Sequence, residues 1–215
     1  MRSSPAHVTP AFLAAAVLVG QVTEVVAHPH MWVSVETTVL YDKGAFTGLK
    51  EKWTFDEFYT AYAIEGLDKN HDGIYDREEL SELAKVNIEA MKEVEYFTDP
   101  VLGGKEVKLK AAQDYWLEHK NGALSLYFTV LFDQPILAKA EDFAFTVADP
   151  TFFIAFEPAK TDPVKFGEGA PKSCRARPGR GREDNNDAER LAKAFAQLAT
   201  RVGAANAYLI DCAGG

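Results

Sequence analysis

The 215-residue sequence has no G-x-S-x-G turn, no H-E-x-x-H helix and no glycine-rich phosphate loop. The first absence leaves no nucleophile elbow, the second no zincin-type histidine pair, and the third no cradle for a nucleotide's phosphates. Serines are few, and the scattered carboxylates are those of a solvated acidic surface. With no nucleophile–base–acid constellation, the chain reads as a binding protein and not an enzyme. Positive charge is also short: 23 Lys and Arg stand against 32 Asp and Glu, for a net charge of −9. A chain this acidic, with no basic face, has no electrostatic footprint for nucleic acid and is repelled by anionic lipid. It suits divalent cations. The apolar run from Ala11 to Gly20 is too short to span a bilayer as a helix. No internal repeat occurs.

The most specific feature present is DKNHDGIYDREE, from Asp68 to Glu79, which satisfies the EF-hand pattern D-x-[DN]-x-[DN]-G-x5-E. Asp68, Asn70 and Asp72 supply the first side-chain oxygens, and Gly73 stands where the chain must turn sharply. Ile74 offers its backbone carbonyl, Asp76 binds directly or through water, and Glu79 closes the shell with two oxygens. Tyr59, Ala63, Ile64 and Leu67 before the loop recur at helical spacing, as do Leu80, Leu83 and Ala84 after it. Two helical arms are therefore expected. Loop position eight is Tyr75 where an aliphatic residue would pair with a second hand, and no second match occurs. A lone hand points to a structural calcium site more than to a cooperative sensor.

The N-terminus has the order of a secretory signal peptide: Arg2, the apolar run, then Val25-Val26-Ala27 before a cut. The competing reading is an uncleaved anchor. Cleavage after Ala27 removes one Arg and one Glu, so the charge is unchanged, and leaves about 190 residues, enough for one large domain. In an exported protein the two cysteines, Cys174 and Cys212, favour one disulfide, closing a loop of nearly forty residues. The same cut places His28-Pro29-His30 at the mature start, so that an α-amine and two imidazoles could clasp nickel, cobalt, copper or zinc. Pro29 has no amide N–H, which excludes the square-planar amino-terminal copper and nickel motif. The plain alternative is an extended lead-in to the first strand.

Along the mature chain, Met31–Tyr41 is rich in β-branched and aromatic residues, Asp42-Lys43-Gly44 offers a turn, and Phe46–Phe55 resumes as a second strand. The helix–loop–helix occupies residues 56–92. Strand signals return over 105–119, continue after the Asn121-Gly122 turn in Leu124–Phe132, and recur at Phe143–Val147, Phe152–Phe156 and in AYLIDC. Residues 158–187 carry Gly, Pro and arginines, then an acidic run, and read as a flexible loop. Residues 188–202 form an amphipathic helix with Leu191, Phe195, Leu198 and Val202 on one face. Strands on both sides of a helical block indicate an α+β chain. It is read as one immunoglobulin-like β-sandwich domain over 28–215, with the EF-hand inserted and a C-terminal helix.

The opening HPHMWV, the DKNHDGIYDREEL segment, DPTFF at Asp149–Phe153 and the terminal cysteine pair together resemble a bacterial family. It is catalogued as a domain of unknown function and as a periplasmic component of ABC-type transport. The resemblance covers essentially the whole mature chain. It implies a periplasmic accessory in divalent-metal handling, partnered by an inner-membrane nickel/cobalt-type permease. Two other classes compete: a calcium-stabilised adhesion module with no transition-metal role, and an oxidative enzyme using His28 and His30 as a copper clasp.

Overall fold

The computed structural model describes residues 29–179, 189–190, 193, 195 and 206–212. His28 and the proposed signal peptide lie outside the described residues, as do most positions of the expected C-terminal helix. Within that helix Glu189, Arg190 and Lys193 are helical.

Alternation builds the first hairpin. In β1 (Met31–Asp42), Met31, Val33, Val35, Thr37 and Val39 are buried while their neighbours are more exposed. Lys43 and Gly44, with φ of 45° and 88°, make the tight turn into β2 (Ala45–Phe55). Helices α1 (Glu57–Ala63) and α2 (Ser81–Met91) follow, then a kinked 3-10 turn over Lys92–Phe97. The rest is strand: β3 (Thr98–Leu102), β4 (Lys105–Glu106), β5 (Gln113–Lys120), β6 (Ala123–Leu137), β7 (Phe143–Val147), β8 (Ile154–Pro158), β9 (Val164–Phe166), β10 (Cys174–Pro178) and β11 (Ala207–Cys212).

The strands form two sheets. The first runs β5-β6-β2-β1-β8, with β9 paired further along the same edge of β1. Both β8 and β9 are parallel to β1, through Met31↔Ile154 and Thr37↔Val164. The second sheet, β10-β11-β7-β3-β4, is antiparallel throughout. One core joins them: Val33, Trp53 and Phe128 from the first pack in a single cluster with Phe143, Phe145 and Tyr208 from the second. The fold is a β-rich α+β arrangement. On the far side of the second sheet, Phe195 is buried with Val101, Ala144 and Leu209. Among the described residues no helix is long and apolar enough to cross a membrane.

Several elements differ from the sequence expectation. The single strand expected over 105–119 is split between the two sheets: β4 pairs with β3 and β5 pairs with β6, and over 107–112 the chain crosses from one sheet to the other with only an isolated bridge from Leu109 to Phe132. Strand β3 is additional. Its Pro100 pairs with Phe145 of β7, and on its other side, just past the short β4, its carbonyl accepts from the Val107 amide at 2.8 Å, so only the missing N–H weakens that edge pairing. The strand expected from Phe152 begins at Ile154, leaving Phe152 and Phe153 exposed. Two short strands, β9 and β10, lie inside residues 158–187, where the sequence reads as a flexible loop. Neither has an apolar run, and each is held by a distant partner, β1 or β11. Cys174 lies opposite Cys212 in the β10–β11 ladder and is bonded to it, as the cysteine count suggests.

Candidate metal site

The loop is suspended between two anchored helices. Asp56 caps α1, its carboxylate accepting from the Tyr59 amide at 2.9 Å and from the Trp32 amide at 2.8 Å. The buried Thr60 hydroxyl accepts from the Leu124 amide at 3.1 Å, tying α1 to the start of β6. The helix stops at Ala63, earlier than the spacing through Leu67 suggests, because the chain turns at Gly66 with φ +74°. Beyond the loop, Leu80, Ala84, Ile88 and Met91 form the buried face of the α2 segment.

Inside the loop the acidic side chains face the backbone. Asp68 accepts from the amides of Asp72 (3.2 Å) and Gly73 (3.0 Å), and Asn70 Oδ1 from the Asp72 amide (2.9 Å). Asp72 accepts from the Ile74 amide at 2.8 Å, and Asp76 from those of Glu78 and Glu79 at 2.8 and 2.9 Å. Glu79 reaches back across the loop. It is buried, its Oε1 accepts from the Lys69 amide at 2.8 Å, and its Oε2 accepts from the Asp76 amide at 3.2 Å. Gly73, at φ +77°, supplies the sharp turn, and a Cβ there would be strained in that conformation. The Ile74 side chain is exposed.

Among the described residues none of Asp68, Asp72, Asp76 or Glu79 makes an ion pair. Nor do three or more His, Cys, Asp or Glu side chains gather there as a preformed metal site. In this arrangement the loop is organised by its own hydrogen bonds. Its donors are all oxygens, and four of them are carboxylates without a cation, which is the chemistry of a hard divalent ion. The residues therefore fit calcium.

The loop also leans on the first sheet. Tyr75 packs edge-on to His119 of β5 at 5.0 Å, and the Arg77 guanidinium lies 4.8 Å over Trp116, which stacks on Tyr127 at 4.7 Å. The β5–β6 hairpin is therefore the loop's packing partner. His30 is exposed just ahead of β1. Its amide donates to Phe153 O at 2.9 Å and its ring lies 4.9 Å from that of Phe153. It is not gathered with His71 or His119 into a metal cluster.

Two further residues were not singled out by sequence reasoning. Glu51 is fully buried on the inward face of β2, and the Thr37 hydroxyl donates to its Oε2 at 2.8 Å. Its Oε1 has no partner. Desolvation pushes its carboxyl up to about 8, against the pull of Thr37 and of the Trp53 indole, which lies nearby but outside hydrogen-bond geometry. The signal was available, since Glu51 shares strand parity with Leu49 and Trp53. Asp149, also buried, pins the loop that follows it: its carboxylate accepts from the Thr151 amide (2.8 Å), the Thr151 hydroxyl (2.7 Å) and the Ile154 amide (2.9 Å). An aspartate two residues before a threonine is the sequence signature of such a turn.

Comparison with known proteins gives relationship without activity. An "Uncharacterized protein" of Haemophilus influenzae is 24% identical over 156 residues, covering 71% of this chain and 73% of its own. No solved structure matches. The family model described as "Protein of unknown function (DUF1007)" matches residues 13–209, nearly the whole chain, so the protein belongs to that family.

Proposed function

We propose that the protein is an exported calcium-binding protein that serves as a periplasmic accessory in the handling of divalent transition metals. The observation that carries the calcium part is the loop Asp68–Glu79. It has a complete oxygen donor set, uncompensated carboxylates, and a buried Glu79 already turned back onto the loop's first residues. In this reading residues 56–92 are an EF-hand inserted into an immunoglobulin-like sandwich, and calcium holds the insertion in place. Extracytoplasmic calcium is plentiful, so a site of roughly 10⁻⁴–10⁻³ M would be filled. The Cys174–Cys212 disulfide suits an oxidising compartment. The transition-metal part rests on His28 and His30 at a mature terminus, with an inner-membrane metal permease as partner, and on the family resemblance. The role is binding, not catalysis.

Native mass spectrometry of untagged protein recovered from the periplasm tests both parts. A chain starting at His28 that carries calcium and one transition ion supports the whole reading. Calcium alone, after nickel, cobalt, copper and zinc have been supplied, reduces it to a calcium-stabilised interaction module. No calcium ends it.

A further inference from the structure

Beyond α2 the chain turns into one wall of an open cavity of about 490 Å³, lined by residues from 93–99 and 148–154. The two walls are fixed to one another. Thr98 pairs with Val147 in the β3–β7 ladder, and the Ala148 amide donates to Phe97 O at 2.9 Å. Behind them, Phe97 packs against Trp53 and Phe156 of the core, and Asp149 locks the second wall through its three hydrogen bonds. The cavity is preformed.

Its chemistry is divided. Glu93 and Glu95 supply exposed carboxyl groups, Val94, Phe153 and Ile154 supply apolar surface, and among the described residues no Lys, Arg or His lines it. The apolar surface continues past the rim, where Val94, Phe153 and Phe152 are 47%, 54% and 64% exposed. Phe152 opens onto a second cavity of about 620 Å³ on the other side of the same loop. Acid beside phenyl rings selects a cation that carries apolar bulk, and a guanidinium satisfies both, pairing with carboxylates and stacking on a ring. A free amino acid would fill one cavity and leave the exposed phenylalanines uncovered. A polypeptide segment covers both.

We propose that this acidic, phenylalanine-rimmed cavity docks an arginine- or lysine-bearing segment of a partner protein, with the cation between Glu93 and Glu95 and a flanking apolar side chain on Phe153. This goes beyond the calcium reading and does not depend on it.

The test uses the isotope-labelled mature chain, titrated by NMR with blocked tripeptides in which Arg or Lys is flanked by Leu or Phe. Control peptides carry citrulline, arginine's neutral isostere, at the centre. The proposal expects shifts of amides within 93–99 and 148–154. The citrulline peptides and the E93Q/E95Q double variant should each bind about tenfold more weakly, and F153A should weaken every peptide. Glu93, Glu95 and Phe153 are not buried, so these variants leave the core intact. Silence from every peptide at millimolar concentration would overturn it, as would citrulline binding as well as arginine. Calcium or nickel chloride moving these amides while the peptides do not would make it an ion pocket instead. A dimer in sedimentation that buries the cavity against peptide would assign it to a second copy, and would equally overturn the proposal.

Discussion

One carboxylate, that of Glu79, holds the first and last thirds of the loop Asp68–Glu79 together by accepting from the amides of Lys69, Asn70 and Asp76. Replacing it with Gln keeps one acceptor oxygen and removes a charge, so the loss should be specific to the ion. Calcium at a few millimolar should stabilise the native chain by about 1–2 kcal/mol through mass action, raising its melting temperature, and Glu79→Gln should abolish that gain. In chelator the two proteins should melt close together; equal losses with and without calcium would refute the site. Glu51 makes a different kind of prediction. Its carboxyl is raised from 4.5 to about 8 in the fold, so the folded state binds the extra proton. Stability is therefore fully present below pH 4.5 and is lost as pH climbs through the folded value near 8. Glu51→Gln, neutral at every pH, should flatten that slope and be the more stable protein at pH 8, by on the order of a few kcal/mol. Urea denaturation at pH 5 and at pH 8 decides it: parallel pH dependence in both proteins would mean that Glu51 is not the group responsible.

At the scale of elements, the loop Asp68–Glu79 and the β5–β6 hairpin are coupled through two ring contacts, Tyr75 on His119 and Arg77 over Trp116. Turning the loop's carboxylates toward an ion shifts the backbone that carries Arg77, so calcium should change tryptophan emission. Trp116→Phe should suppress the change, whereas a full response in that variant would place the reporter at Trp32 or Trp53. Another element-scale contact is the closest approach of β2 to β6. A Cβ on Gly48 would collide with the carbonyl oxygen of Val130 and stand 2.8 Å from Leu131 Cα, at a bulge in the pairing. Gly48→Ala should cost about 1–3 kcal/mol in chemical denaturation. How much of this was legible depended on where the partners lie. The β1–β2 hairpin and the sharp turn at Gly73 are written in contiguous residues, by alternation and turn chemistry, and were readable. Strand β3 was hidden by Pro100, and β9 and β10 by their lack of any apolar run, because distant partners make them strands. The acidic cavity could not be read at all: its two walls come together only through the β3–β7 ladder.

At the scale of the whole molecule, the two sheets share one core and the disulfide fastens β10 to β11 at the edge of the second. Its cysteines are 38 residues apart, for which chain entropy gives about 4 kcal/mol. Reduction, or Cys212→Ser, should therefore lower unfolding free energy by roughly 3–4 kcal/mol, and an unchanged denaturation midpoint would mean that the bond constrains nothing. The fold class was legible from strands flanking a helical block, whereas the parallel pairings of β1 were not, since nothing local to residues 31–42 specifies them. Those pairings also set an order of events. Strand β1 is the first described strand, yet its second edge is completed only by Ile154–Pro158 and Val164–Phe166. A chain emerging N-terminus first must keep that edge open until almost all of it has been delivered, which makes folding slow and late. Under the export proposed above, such a delay would keep the chain unfolded while it is threaded through a membrane, an advantage built into the topology itself.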